Sequence, residues 1–261
     1  MMVRDVSTAS IRVLSLNLQQ AKPRDRFDEG LKQIAALRPD VVLVQEADKG
    51  SLFSGRVDHV GMVAEACALP HHAFLPGRST WATVLPLISP RAKSIGDSGT
   101  GIGIASRFPA TWHRHHLRTN RSLARLRGTH VDMDQPRQVL AGVLDARGAS
   151  LTIATTHLSW HVGVGVDQLR QAESFLKKLP GPYVLGGDFN LRKNESIWPS
   201  LVTGKTYPAG APRFQLDYLV STLAASHSSI HEFAFSDHRG VLADITLPES
   251  LRFPARGSSR N

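Results

Sequence analysis

The fold of this chain can be read outward from residues 183–190, which run YVLGGDFN. The first three residues form a short run of apolar, β-branched and aromatic side chains after a Pro-Gly-Pro sequence, which predicts a buried strand. Gly186 and Gly187 then remove side chains at the end of that strand, so a ligand or another backbone can approach closely there.

Two polar side chains close the same stretch. Asp188 and Asn190 are two positions apart, so in an extended chain they project to one side while Phe189 turns into the core. A carboxylate can accept a proton from water, and an amide can donate to a phosphate oxygen without adding charge. An Asx turn has the same residue types, so the stretch alone leaves both a turn and a functional site open.

Length and composition favour one large domain or two small ones. The chain has 261 residues, 41% of them hydrophobic, and no linker-like shift in composition divides it. We expect one domain over residues 1–249. Residues 250–261 are polar and basic and predict a flexible tail.

The charge balance predicts an anionic partner. The formal net charge is +9 and the pI is near 10.2, which leaves nucleic acid, phosphorylated metabolites and acidic membrane surfaces open. Residues 107–127 contain six arginines and three histidines but no acidic residue. This segment is either an anion-binding surface or, from the alternation of Trp112, Arg114 and His116, a solvated edge strand.

Cysteine content and hydropathy bound the compartment. The single cysteine, Cys67, excludes an internal disulfide and a multi-cysteine metal site. The N-terminal residues carry charges of both signs, and no stretch approaches 18 apolar residues. We therefore expect a cytoplasmic monomer without stable membrane insertion.

The remaining elements follow from periodicity and turn residues. Residues 137–144 and 151–158 predict a hairpin around Arg147-Gly148, whose open end brings Arg137 close to His157. Further strands are predicted at 11–18, 41–46, 101–106, 216–221 and 240–247, with a possible strand at 82–87. Helices are predicted at 25–37, 60–69 and 167–179, with a possible short helix at 195–201.

This balance of elements predicts an α+β fold. Helices are too few to connect every pair of strands, which favours two stacked mixed β-sheets flanked by helices over a doubly wound single sheet. In such a sandwich, the ends of outgoing strands and the starts of returning strands meet at one rim. The polar residues at these positions are Asn17, Glu46, His157, Asp188 and Asn190 at strand ends, and Arg137, Asp217, Asp237 and His238 at strand starts.

These residues resemble the motifs of the endonuclease/exonuclease/phosphatase superfamily, metal-dependent phosphodiesterases that include pancreatic-type deoxyribonuclease and neutral sphingomyelinase. The matching motifs occur in the family's order between residues 11 and 247. They are Leu16-Asn17-Leu18, Gln45-Glu46, the segment from Gly103 to Pro109, Thr156-His157-Leu158, Gly187-Asp188-Phe189-Asn190, Leu216-Asp217-Tyr218 and Ser236-Asp237-His238.

The resemblance implies a four-layer α/β/β/α sandwich and a divalent metal site. Mg²⁺ or Mn²⁺ would be held chiefly by Glu46, with Asn17 and Asp237 close to the ion, and a hard cation prefers such oxygen ligands. Asp188 would orient or deprotonate the attacking water. Asn190 would stabilise the phosphorane-like oxygens.

The remaining implied roles concern the phosphate. His157 and Arg137 would hold the scissile phosphate, and Asp217 would fix the tautomer and charge of His238. The sequence departs from the abasic-site endonuclease branch, which carries Gln-Glu-Thr-Lys where this chain has residues 45–48, QEAD. This departure speaks against base-excision repair.

We therefore expect a Mg²⁺-dependent phosphodiesterase that acts on DNA or RNA. Two alternatives remain open at this point: a phospholipid, sphingomyelin or small-molecule phosphate hydrolase, and a catalytically silent member that binds anions.

Overall fold

A computed structural model describes residues 9–21, 24–50, 55–78, 98–118, 125–127, 130–132, 136–192 and 199–248. The possible strand at 82–87 and the predicted tail at 250–261 lie outside these ranges. Most of the predicted short helix at 195–201 also lies outside them, and its described part, 199–201, is not helical.

The strands and helices of the described chain alternate irregularly. In order they are β1 (Ser10–Asn17), α1 (Phe27–Ala36), β2 (Val41–Lys49), α2 (His59–Ala66), β3 (His71–Arg78), β4 (Gly99–Ser106), β5 (Ala110–Leu117), β6 (Arg125–Arg127), β7 (His130–Asp132), β8 (Arg137–Ala146), β9 (Ala149–His157), α3 (Val162–Leu176), β10 (Tyr183–Asp188), β11 (Asp217–Ser221), β12 (Ala225–His231) and β13 (Gly240–Thr246). No helix in the described ranges is both long enough and apolar enough to cross a bilayer.

The strands form two mixed sheets that stack face to face. The first has the order β12-β13-β1-β2-β4-β3 and the second β11-β10-β9-β8-β5, while β6 and β7 form a separate pair. Side chains such as Leu43, Leu151 and Val184 fill the space between the sheets. The predicted pair of stacked sheets is confirmed.

Helices cover both outer faces. Ile34 of α1 and Val63 of α2 pack on the outer face of the first sheet, and Leu169 and Leu176 of α3 pack on the outer face of the second. The layers are therefore helix, sheet, sheet and helix, as the resemblance implied.

Each sheet contains one parallel strand pair joined by a helix. These pairs are β1 with β2, connected through α1, and β9 with β10, connected through α3. The strands β8, β11 and β13 pair antiparallel with β9, β10 and β1 and so begin at the rim where those strands end. This topology produces the predicted polar rim.

Strand β10 ends at Asp188, as predicted, and runs through both glycines; a Cβ at Gly186 would lie 2.6 Å from Leu43 of the facing sheet. Two other predicted boundaries were wrong. Strand β2 does not close on Glu46 but continues to Lys49 past a bulge between Val44 and Ala47. Helix α3 begins at Val162 rather than at residue 167 and ends at Leu176.

Candidate active site

The polar rim surrounds one open cavity of about 460 Å³. Most of the predicted site residues line it, namely Glu46, Arg137, His157, Asp188, Asn190, Asp237 and His238. The other two predicted residues lie directly behind the wall: Asn17 contacts Asp188, and Asp217 contacts His238. The structure therefore brings all the predicted residues together, although they come from both sheets.

Asp188 is the centre of this arrangement. It is only 2% exposed, and its Oδ2 accepts a hydrogen bond from Asn17 Nδ2 at 3.1 Å. The same oxygen lies 3.5 Å from His157 Nε2 and 3.7 Å from His238 Nε2. Burial raises the pKa of Asp188 to about 7, against the lowering effect of the charge on His238. A carboxyl group with this pKa can exchange a proton near neutral pH.

The chain after Asp188 does not stay extended. Asn190 has a φ of 53°, and its backbone N–H donates to Asp188 Oδ1 at 2.9 Å, which closes an Asx turn. The extended geometry expected for this pair was therefore wrong, since the left-handed turn redirects the backbone. Both side chains still face the cavity, so the turn and the shared polar corner coexist.

The amide of Asn190 determines the protonation of His157. Asn190 Nδ2 lies 3.1 Å from the carbonyl oxygen of Leu158, which can only accept, so the amide nitrogen must face that side. The second amide hydrogen points at His157 Nε2, also at 3.1 Å. Burial, together with the charges of Arg137 and His238, lowers the pKa of His157 well below its usual range. His157 is therefore neutral, accepts at Nε2 and carries its proton on Nδ1.

His238 has the opposite charge state. Its Nδ1 lies 2.9 Å from Oδ2 of the fully buried Asp217. Burial alone would lower the pKa of His238, but the hydrogen bond to Asp217 and the nearby carboxylate charges outweigh it and raise the pKa to about 10. The imidazolium is held in place by the ring of Tyr207, whose centroid is 4.7 Å away. His238 is thus a buried cation that directs Nε2 towards Asp188.

Glu46 enters the cavity from the bulge in β2. Its φ of 51° turns the residue out of the regular strand, and the side chain remains half-buried. Asn17 Nδ2 donates to Glu46 Oε1 at 3.1 Å as well as to Asp188. One amide therefore connects the carboxylate of the first sheet with that of the second.

The residues present fit a hard divalent cation. Glu46 and Asp237 both present carboxylate oxygens to the cavity, and both are half-buried. Asn17 offers its amide hydrogens to the carboxylates, so in this arrangement it positions Glu46. Ligand atoms of Asp188, Asp217 and His238 also lie within 4.8 Å of one another. In that trio the imidazolium nitrogens are donors, so His238 is not available as a ligand.

Arginine positions divide into buried and surface groups. Arg137 begins β8 and is 9% exposed, and its Nη1 donates to the carbonyl oxygen of His157 at 3.4 Å. This confirms the predicted proximity of the two residues.

In the basic segment at residues 107–127, β5 is the predicted edge strand. Arg107 forms an ion pair with Asp40 at 2.8 Å, and Arg114 is exposed. Residues 119–124, 128 and 129 lie outside the described ranges.

Several residues that line the cavity were not among the predicted site residues. They include Gln20, Gln138, Trp160, Tyr207 and Leu216. Tyr207 and Trp160 lie in loops, where neither periodicity nor a strand end marks them. Leu216 directly precedes Asp217 in the quoted motif, so it is a residue that the sequence could have indicated.

Acids, an amide, histidines and an arginine from both sheets thus surround one open cavity. The model of the Endonuclease/Exonuclease/phosphatase family matches residues 14–238. The chain therefore belongs to this family, whose members hydrolyse phosphoester bonds. No curated protein matches the chain.

Solved structures share the fold at low sequence identity. An endonuclease/exonuclease/phosphatase from Bacteroides vulgatus superposes with a TM-score of 0.68 at 14% identity, covering 92% of this chain and 100% of that chain. D. rerio TDP2 complexed with a single-strand DNA product gives 0.62 at 16% identity, with coverages of 92% and 100%. The Bacteroides thetaiotaomicron mannosyl-6-phosphatase Bt3783 gives 0.63 at 14% identity, with coverages of 91% and 100%.

Proposed function

We propose that this protein is a Mg²⁺-dependent phosphodiesterase that cleaves the backbone of DNA or RNA. The observation that carries the proposal is the position of Asp188, which lies between the cation His238 and the amide that joins it to Glu46. A base, a cationic donor and metal-binding oxygens thus face one open space. Phosphoryl transfer requires these groups, because its transition state spreads negative charge over the phosphate oxygens.

In this proposal, Asp188 accepts the proton of the attacking water. A water molecule beside Oδ2 would lose a proton to the carboxylate while its oxygen attacks phosphorus. The bond from phosphorus to the leaving oxygen would break on the opposite side, and that oxygen would take a proton from solvent. His238, held protonated by Asp217, would donate from Nε2 to a phosphate oxygen. Mg²⁺ held by Glu46 and Asp237 would neutralise charge on the same phosphate.

Arg137, His157 and Asn190 would hold the scissile phosphate. The guanidinium of Arg137 supplies a permanent charge, and a planar fork suits two phosphate oxygens. His157 is neutral in this arrangement and would donate through Nδ1, while Nε2 is occupied by Asn190. Asn190 thus positions His157 before substrate binds. When the substrate displaces the contacts of its amide with His157 and Leu158, Asn190 would donate hydrogen bonds to the developing phosphorane.

Charge and openness support nucleic acid as the substrate. The net charge of +9 favours a polyanion over a single small phosphate, and the cavity opens at the rim beside Trp160, which is 39% exposed. TDP2, which shares the fold, is complexed with single-strand DNA in one structure. A phosphatase of a sugar phosphate is the second candidate, because a mannosyl-6-phosphatase has the same fold at a similar TM-score.

A substrate panel separates these candidates. Purified protein would be tested with Mg²⁺, Mn²⁺ or EDTA on single-stranded DNA, RNA, plasmid, bis(p-nitrophenyl) phosphate, mannose 6-phosphate and sphingomyelin vesicles, beside Asp188→Asn. We expect metal-dependent cleavage of the nucleic acids and of the small diester, with affinity that falls as salt rises. Turnover of mannose 6-phosphate or sphingomyelin in place of nucleic acid would overturn the substrate assignment. Nucleic-acid binding without any turnover would identify the silent member.

We also propose that the protein is a cytoplasmic monomer. Its single cysteine, Cys67, is half-buried after α2, and burial raises the pKa of its thiol to about 11, which disfavours the reactive thiolate. Size-exclusion chromatography with light scattering tests the monomer, and a dimeric mass would contradict it.

A further inference from the structure

A second cavity of about 410 Å³ is lined by Gln215 and Arg192, which are one residue from Leu216 and two residues from Asn190 of the candidate active site. Its described lining includes the cations Arg192, Lys205 and Arg213 and the ring of Phe214, and it contains no acidic side chain. A pocket with this lining favours an anion that also carries a flat apolar group.

The register of the second sheet places Phe214 beside the site. His157, Asp188 and Asp217 lie opposite one another across β9, β10 and β11. Trp160 follows His157 by three residues, and Phe214 precedes Asp217 by three residues. Because β9 ends and β11 begins at the same rim, both aromatic residues lie in loops at that rim, and Trp160 lines the cavity of the candidate active site.

The same two rings stand out in exposure. Among the described residues, Trp160 at 39% and Phe214 at 38% are the large hydrophobic side chains that are exposed. Trp160 lines the candidate active site, and Phe214 lines the second cavity. Exposed aromatic rings along a basic path are the platforms on which single-stranded nucleic acids stack their bases.

Hydrogen bonds hold Phe214 in position. Its N–H donates to the carbonyl oxygen of Tyr207 at 2.9 Å, and the N–H of Tyr207 donates back to the carbonyl oxygen of Phe214 at 3.0 Å. The neighbouring Gln215 donates to the carbonyl oxygen of Val202 at 2.8 Å and accepts from the N–H of Gly204 at 3.2 Å. Since Tyr207 also packs against His238, these hydrogen bonds connect Phe214 to the cavity of the candidate active site.

The second cavity has two exposed cations and one that is stacked on its aromatic ring. In the described part of the chain, Lys205 and Arg213 are exposed and form no ion pair with a carboxylate. The guanidinium carbon of Arg192 lies 4.8 Å from the centroid of the Phe214 ring. The apolar area is a single ring, which suits one base better than it suits insertion into a membrane.

We infer that this second cavity binds one nucleotide of the substrate strand beside the scissile phosphate. Its base stacks on the face of Phe214 opposite Arg192, and its phosphate contacts Arg213 and Lys205. The inference rests on the proposed nuclease function, since it assigns a path for the strand that the active site cleaves. It also explains why a basic aromatic pocket adjoins the phosphate site.

The test compares binding with chemistry. Phe214→Leu and Arg213→Gln would be compared with wild type and with Arg147→Gln, which alters an exposed cation in the β8–β9 turn at the opposite end of the sheet. The affinity for a labelled single-stranded oligonucleotide would be measured by fluorescence anisotropy in EDTA over a range of salt. The kcat/KM on bis(p-nitrophenyl) phosphate with Mg²⁺ would be measured in parallel.

We expect Phe214→Leu to weaken oligonucleotide binding roughly tenfold, because a stacked base is lost. Arg213→Gln should weaken binding and reduce the salt slope by about 0.7, which corresponds to one phosphate contact with a single strand. Both variants should retain wild-type kcat/KM on the small diester. Arg147→Gln should retain wild-type oligonucleotide affinity as well as wild-type kcat/KM.

The outcomes separate the two proposals. If wild type binds and cleaves the oligonucleotide while both variants match it, the second cavity is not a nucleotide site and the proposed function stands. If wild type hydrolyses the small diester but neither binds nor cleaves the oligonucleotide, both the nucleotide site and the nuclease assignment fail. Binding to anionic vesicles that Phe214→Leu abolishes, without oligonucleotide binding, would assign the pocket to a membrane surface instead.

Discussion

The β1–α1–β2 and β9–α3–β10 units have the same connectivity but present different chemistry at the rim. Each is a parallel strand pair inside its sheet, with one connecting helix outside. The first unit contributes Asn17 and the half-buried Glu46, and the second contributes His157 and the buried Asp188. Each unit therefore presents a carboxylate next to a polar partner, from the bulge of β2 in the first and from the end of β10 in the second.

Burial separates the roles of the two carboxylates. Glu46 leaves its strand at a bulge and reaches into the open cavity, where oxygen ligands can bind an ion. Asp188 remains in its strand, and burial raises its pKa to about 7, which suits proton transfer. Asn17 joins the two units by donating to both carboxylates. In the proposed function, the first unit would therefore hold the ion and the second unit would accept the proton.

The largest effect should follow from removing the base in the second unit. Asp188→Asn keeps the shape but cannot accept a proton, so kcat on a phosphodiester should fall about 10²- to 10⁴-fold. Added Mg²⁺ should not restore it. Steady-state kinetics over a Mg²⁺ series, with circular dichroism to verify folding, measures this. A folded variant with wild-type kcat would remove Asp188 from the chemical step.

A smaller and different loss should follow in the first unit. Glu46→Gln removes the charge that would hold the ion, so the Mg²⁺ concentration for half-maximal rate should rise about 10- to 100-fold, and high Mg²⁺ should restore much of the activity. The measurement is the same Mg²⁺ titration of initial rates. A loss that is independent of Mg²⁺ would show that Glu46 does not act through the metal.

The pH profile tests the charge states of the second unit. Asp188 must be ionised to accept a proton, so kcat/KM should rise with pH through about 7. His238 must remain protonated, so kcat/KM should fall as pH rises through about 10. Asp217→Asn removes the hydrogen-bonded charge that raises the pKa of His238, so the alkaline limb should move to lower pH.

The alkaline limb is the readout for that variant. Asp217→Asn should leave a plateau that is narrower on its alkaline side, with the greatest deficit at high pH. An alkaline limb that coincides with the wild-type limb would mean that His238 does not titrate in the reaction.

The smallest effect should come from the contact between the units. Gln45 of β2 donates to Thr155 Oγ1 of β9 at 2.9 Å across the buried space between the sheets. Thr155→Val keeps the shape but removes the acceptor, so the free energy of unfolding should fall by about 1 to 3 kcal/mol. Urea unfolding measures this. An unchanged midpoint would show that the sheets do not depend on this bond.

The central strands could be predicted from sequence because both of their faces are buried. The runs in β1, β2 and β10 are apolar on both sides, which distinguishes them from amphipathic surface elements. The edge strands β3 and β12 carry Pro76 or a series of polar residues, and no strand was predicted there. Their conformation comes from pairing with β4 and β13, which a local pattern does not contain.

The site could be predicted where a strand end positions it and not where a loop does. Asp188, His157, Asp217 and Arg137 lie at strand ends or starts, so alternating direction brings them to one rim. Tyr207 reaches the cavity only because its loop pairs with Phe214, a tertiary contact without a sequence signal. The start of α3 was missed because Gly163 and Gly165 weaken helix propensity.

We propose that the β1–α1–β2 unit binds the ion and the β9–α3–β10 unit transfers the proton. The most direct test is calorimetric titration of Mg²⁺ into wild type, Glu46→Gln and Asp188→Asn. We predict that Glu46→Gln binds Mg²⁺ far more weakly than wild type, whereas Asp188→Asn binds it about as well as wild type. Equal binding by wild type and Glu46→Gln, or loss of binding in Asp188→Asn alone, would contradict the account.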